Sequence, residues 1–97
     1  MSKEELDLRV RFAFAKGRNI IYYRKLDKQL GRVRVQYVHV LREYREALND
    51  LVSKMGPGND RDTLKKIMSV IDPKVLASEC ERTIKNIETI LDGQEKA

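Results

Sequence analysis

Residues 2–32 read SKEELDLRVRFAFAKGRNIIYYRKLDKQLGR, and the fold turns on whether this stretch is one helix or two strands. Ser2-x-x-Glu5 is a capping box, in which hydroxyl and carboxylate each close a free backbone donor, and it predicts a helix from Lys3. The residues that follow carry two patterns. Leu6, Leu8, Val10, Phe12 and Phe14 alternate strictly, which is the strand template. Yet Leu8, Phe12, Ala15, Asn19, Tyr22, Leu26 and Leu30 recur at the spacing of three and four that marks one side of a helix. A second helical face holds Leu6, Val10, Ala13, Phe14, Gly17 and Ile21. The cap, and the Ala, Leu, Glu, Lys and Arg between the aromatics, favour helix. The alternative is a β-hairpin turning at Lys16-Gly17-Arg18-Asn19 and followed by three helices. Gly17 is expected to bend or break the element in either case.

Working outward, Gly31 is placed as a C-cap. Val33, Tyr37, Val40, Leu41, Tyr44, Ala47, Leu48, Leu51, Val52 and Met55 then share one helical face, predicting a helix over 33–55, although Val33 and Val35 also fit a short strand. Gly56-Pro57-Gly58-Asn59-Asp60 is a loop. Leu64, Ile67, Met68 and Ile71 predict a short helix over 61–71. Asp72 reads as an N-cap with Pro73 at the first helical position, opening a last helix over 73–92 that turns Leu76, Cys80, Ile84, Ile87, Ile90 and Leu91 inward and stops at Gly93. The expected fold is therefore all-α: one domain of four helices, 3–30, 33–55, 61–71 and 73–92, with the first two as a helical hairpin and the last two packed across it.

Charge divides the chain. Residues 8–42 hold ten Lys or Arg against one acid, Asp27, whereas residues 43–97 hold nine bases and eleven acids. The formal +5 thus comes from one stretch, leaving a basic half (1–55), a loop (56–60) and a mildly acidic helical half (61–97). A basic run without acids suits an anionic partner, either nucleic acid (DNA or RNA) or an acidic protein. On a helix Arg11, Arg18 and Lys25 recur every seven residues along one ridge, with Tyr22 beside it and Tyr23 next in sequence. In the leading reading Arg9, Arg11, Lys16, Arg18, Lys25, Lys28, Arg32 and Arg34 contact phosphate and release counterions, and Tyr22 or Tyr23 stacks on an unpaired base. Binding of this kind positions a ligand with little sequence discrimination. The bland reading is that the same cations meet the acidic half of their own chain.

The double-faced first helix supports a different class of function. Its seam from Leu8 to Leu30 has coiled-coil spacing, with Asn19 as the one polar residue, and a lone buried Asn commonly sets register and oligomer state. A helix apolar on two sides is central in a bundle or shared with another chain. The competing expectation is thus an assembly or adaptor subunit that binds a protein partner or, as a homodimer, a second copy of itself through Val10, Phe14, Asn19 and Ile21.

No catalytic, metal or cofactor constellation is legible, and a non-enzymatic protein is expected. His39 stands on the polar face of the second helix with no second His and no Cys to join it, and reads as a surface residue. Cys80 lies in an apolar stripe between Glu79 and Glu81, which raise rather than lower a thiol pKa, and reads as packing. A helix-turn-helix over 61–92 would present Glu79 and Glu81 to phosphates and is rejected. One cysteine, no long apolar run and no secretory-type start lead to the expectation of a cytoplasmic location, or a nuclear one in a eukaryote.

Overall fold

The computed structural model describes residues 1–32 and 36–96. Four helices follow in order, α1 (Lys3–Gln29), α2 (Gln36–Lys54), α3 (Asn59–Val70) and α4 (Leu76–Lys96), with no strand among the described residues. The first thirty residues are therefore helix and not hairpin. The Ser2 hydroxyl accepts from the Glu5 amide at 3.1 Å, and Glu4 and Glu5 place negative charge on the first turn, where the exposed amides favour it. At the other end Leu30 is the cap and Gly31 takes φ +68. The Gly31 amide donates to Lys28 O at 3.1 Å and the Arg32 amide to Asp27 O at 2.7 Å, the paired bonds of a Schellman ending that only glycine enters without strain.

The helices form a bundle in which α1 packs on α4 and α2, and α3 packs on the same two helices. The eight most deeply buried large side chains are Leu41, Leu48, Leu64, Ile67, Ile71, Leu76, Ile87 and Leu91. All eight come from α2, α3, α4 and the α3–α4 turn. Helix α1 is laid on that core from outside, adding Val10, Phe14, Ile20 and Ile21 at its margin.

Gly17 does not interrupt α1, which is helical from Lys3 to Gln29. Its role is contact. A methyl group at residue 17 would stand 2.8 Å from Tyr44 Oη and 3.2 Å from Leu91 Cδ1, so the missing side chain is what lets α1 approach both neighbours. The Tyr44 hydroxyl fills the notch and donates to Ala13 O at 2.5 Å. Burial pushes the Tyr44 phenol well above its ordinary pKa, against weaker opposing effects of the Gly17 amide and Arg18, so it remains a donor.

Three element boundaries differ from expectation. Helix α3 starts at Asn59, two residues early, because Asp60 and Asp62 suit its first turn. Asp72-Pro73 makes a turn rather than a cap: Asp72 Oδ1 accepts from the Lys74 amide at 3.0 Å and Asp72 O from the Val75 amide at 3.2 Å, so α4 begins at Leu76 and carries a kink at Glu79. Gly93 does not stop α4, which continues to Lys96. The question of strand or helix at Val33 and Val35 lies outside the described residues.

The Gly17–Tyr44 contact makes a quantitative prediction. Gly17→Ala gains about 1 kcal/mol of helix propensity but incurs an overpacking cost of about 1–3 kcal/mol, so the variant should be less stable on urea denaturation. In a Tyr44→Phe background, where the blocking oxygen is gone, the same change should be neutral or stabilising, giving a clearly non-additive double-mutant cycle.

Candidate interaction surface on the first helix

A set of ion pairs to α4 borders the buried face of α1 and suits the rotation that its buried contacts impose. Arg18 Nη2 lies 2.6 Å from Glu95 Oε1, and Lys25 bonds Glu88. Glu81 accepts from both Arg24 and, at 3.0 Å, Lys28. The helices run antiparallel here, and the acids Glu81, Glu88 and Glu95 recur every seven residues, as do Arg18 and Lys25. Matching heptads therefore keep the two rows in step. Partial burial pushes the Glu81 carboxyl upward, but the hydrogen bonds and charges of Lys28 and Arg24 outweigh it and hold its pKa below the ordinary value. Lys25 is raised by its bond to Glu88 and by that carboxylate's charge.

The α1–α2 corner has its own polar anchor. The Tyr37 hydroxyl donates to the buried Asp27 Oδ2 at 2.7 Å, and Arg32 Nη1 stands 3.8 Å from Asp27 Oδ1. The Arg24 guanidinium carbon lies 5.6 Å from the centroid of the Tyr37 ring, so this cation sits between a carboxylate and an aromatic face. The lone acid of the basic stretch is thus a structural residue.

These contacts distribute the sequence-predicted residues unevenly. Arg18, Lys25 and Lys28 are engaged by α4, and Arg32 lies near Asp27. Arg9, Arg11 and Lys16 are exposed and make no ion pair with a described residue. Tyr22 and Tyr23 are both exposed and meet edge to face at 5.3 Å between centroids. Arg34 lies outside the described residues.

The interface expected at Val10, Phe14, Asn19 and Ile21 requires correction. Val10, Phe14 and Ile21 are only 8, 9 and 9 % exposed and belong to the chain's own core; Asn19 alone of the four faces outward. The physical reason is that this face carries Gly17, where Tyr44 and Leu91 approach the α1 backbone, with the α4 ion pairs alongside. What remains outside is the opposite seam: Leu8, Phe12 and Tyr22 are 52, 64 and 60 % exposed, Ala15, Asn19 and Leu30 are exposed, and Leu26 is half-buried. On its α2 side the seam opens into a groove of about 310 Å³ bordered by Arg9, Phe12, Lys16, Tyr44, Leu51 and one acid, Asp50, which is bonded to Lys54.

Elsewhere, His39 is exposed with Nε2 2.9 Å from Glu43 Oε1, one turn on, and Cys80 is half-buried with its thiol pKa raised by burial and then by Glu81. Among the described residues no cluster of His, Cys, Asp or Glu could hold a metal ion, and no helix is long and apolar enough to cross a membrane. Compared with protein-family models, curated proteins and solved structures, the chain matches none.

For Arg18, Lys25 and Lys28 the reading that the cations meet the acidic half of their own chain holds, but sequence reasoning did not single out Glu81, Glu88 and Glu95 as the counterparts. The signal was their seven-residue recurrence, the same period as Arg11, Arg18 and Lys25. Their contribution is pH-dependent. Because Glu81 has a lowered folded-state pKa, its ion pairs stabilise fully above the ordinary carboxyl value of 4.5 and are lost as pH falls through the lower folded value. Glu81→Gln should be less stable than the parent by about 0.2–1 kcal/mol at neutral pH, a modest effect because the pairs are solvent-screened. That margin should vanish in acid, which thermal unfolding across the carboxyl range would read directly.

Proposed function

We propose that this chain is a non-catalytic helical docking subunit whose outward face on α1 binds a protein partner. The observation that carries the reading is the uncovered seam of Leu8, Phe12, Ala15, Asn19, Tyr22 and Leu30, on the side of α1 away from the core. A helix that buries Val10, Phe14 and Ile21 has already satisfied its own bundle. A second apolar row of this length, kept in water and rimmed by polar residues, is the character of an interaction site. Large exposed aromatics such as Phe12, Tyr22 and Tyr23 are also the side chains that anchor protein interfaces.

Nucleic-acid binding through the same helix is the competing reading. Support for it is reduced because Arg18, Lys25 and Lys28 are shared with Glu95, Glu88 and Glu81, which leaves Arg9, Arg11 and Lys16 as the predicted cations without an ion pair among the described residues.

Site-specific photo-crosslinking in the native host separates the two. A crosslinking side chain replacing Phe12 or Tyr22 should capture a discrete protein species, and one replacing exposed Asn49 on α2 should not. Phe12→Glu, at a position outside the core, should leave thermal stability within about 0.5 kcal/mol of the parent yet abolish capture from Tyr22. Capture of nucleic acid in place of protein, or equal capture from Asn49, would contradict the reading.

A further inference from the structure

We infer that the occupant of the α1 seam is an amphipathic helix flanked by acidic residues, lying along α1, and not a second copy of this chain. This rests on the docking reading above and adds the chemistry of the partner.

Shape comes first. From Leu8 to Tyr22 the seam steps by four, three, four and three residues, an average of 3.5. Such a row stays in line only with another helix wrapped along it, because a straight helix of 3.6 residues per turn drifts off it. Helix α1 has 27 residues and is roughly 40 Å long at 1.5 Å per residue, so the surface is a narrow line and not a round patch. Ala15 at mid-seam allows close approach. In heptad terms Phe12, Asn19 and Leu26 occupy one core position and Leu8, Ala15 and Tyr22 the other. Asn19 would then fix register by bonding a polar group of the partner.

Charge then selects the partner. Arg11, Arg18 and Lys25 border the seam on the α4 side, where Arg18 and Lys25 are paired with Glu95 and Glu88, and Arg9 and Lys16 border it on the α2 side; α1 itself has no acid from residue 8 to residue 26. Parallel pairing of two copies would set Arg11 of one against Lys16 of the other. Antiparallel pairing would set the Arg11–Arg18–Lys25 row against itself, and Arg9 and Lys16 against each other. Both orientations oppose cation to cation, which disfavours self-association. A helix with Glu or Asp at its flanking positions meets the unpaired Arg11 on one side of the seam and Arg9 and Lys16 on the other. Arg9, Arg11 and Lys16, which carry no intramolecular ion pair among the described residues, are the cations available to it.

The test uses the full chain and two synthetic helices of about four heptads, each with Leu at the core positions and one Asn, flanked by Glu in one and Lys in the other. Titration by fluorescence anisotropy at low and raised salt is paired with sedimentation equilibrium of the protein alone. The Glu-flanked helix should bind at least about tenfold more tightly than the Lys-flanked one, as a few exposed pairs would give, and that preference should shrink with salt. Phe12→Glu should abolish binding, Arg9→Glu with Lys16→Glu should reverse the preference, and the protein alone should be monomeric. Equal affinity for both helices would overturn the inference. A protein dimer dispersed by Phe12→Glu would also overturn it, while leaving the docking reading intact. If neither helix binds, the inference fails, and the Phe12 and Tyr22 crosslinks decide the docking reading separately. Crosslinks to nucleic acid alone would remove both.

Discussion

The close seat of α1 at Gly17 is the contact on which the rest of the arrangement depends. With no side chain there, the Tyr44 hydroxyl reaches the α1 backbone at Ala13, and Leu91 of α4 packs against the same point. One position thereby sets the depth of α1 against both neighbours. A larger residue would lift the helix from the bundle and separate Val10, Phe14 and Ile21 from the core they cap. Overpacking at such a contact is costly while the Tyr44 hydroxyl stays in place, because Tyr44 is itself buried and bonded.

The same contact selects the rotation of α1, because only the Gly17 face lets Tyr44 reach the backbone at Ala13, and charge reinforces the choice. The apolar character of α1 is spread over two opposed faces, so burial gives only a weak preference between them. The pairs from Arg18, Arg24, Lys25 and Lys28 to Glu95, Glu81 and Glu88 are individually modest. Together they form one row that matches in only one rotation. The Asp27–Tyr37 hydrogen bond and the Schellman ending at Gly31 hold the same orientation at the far end. Function follows from this geometry: the same rotation that spends one ridge of cations on α4 exposes the Leu8-to-Leu30 seam with Arg9, Arg11 and Lys16 beside it.

Much of the fold was legible in the sequence because it is written in local rules. Ser2-x-x-Glu5 marked the start of α1, Gly31 its end, and Gly56-Pro57-Gly58 the α2–α3 loop. The ambiguity between helix and hairpin over residues 6–14 arose because a double-faced helix places apolar residues at both even and helical intervals. Which face is buried was not legible, since Val10, Phe14 and Ile21 match Leu8, Phe12 and Tyr22 in apolar content; the answer lay far along the chain, in Tyr44 and Leu91 against Gly17, with Glu81, Glu88 and Glu95 alongside. Gly17 was read as a bend because propensity describes a helix in isolation, whereas its place in the fold comes from Tyr44. Asp72-Pro73 failed as a cap for a similar reason: Asp72 bonds the Lys74 amide two residues on, forming a turn before the helix can begin. Gly93 is carried through within α4, with Glu95 one turn beyond the core residue Leu91 tied to Arg18.

The most direct measurement of the central claim is thiol reactivity of single cysteines on the two faces of α1. In a Cys80→Ser background, Phe12→Cys and Tyr22→Cys are compared with Phe14→Cys and Ile21→Cys under native conditions. The rotation described here predicts that the first pair reacts at close to the rate of an unfolded control and that the second pair is protected by orders of magnitude, opening only with global or local unfolding. Comparable rates at all four positions, or protection at Phe12 and Tyr22, would show that α1 does not present this face and would contradict the account.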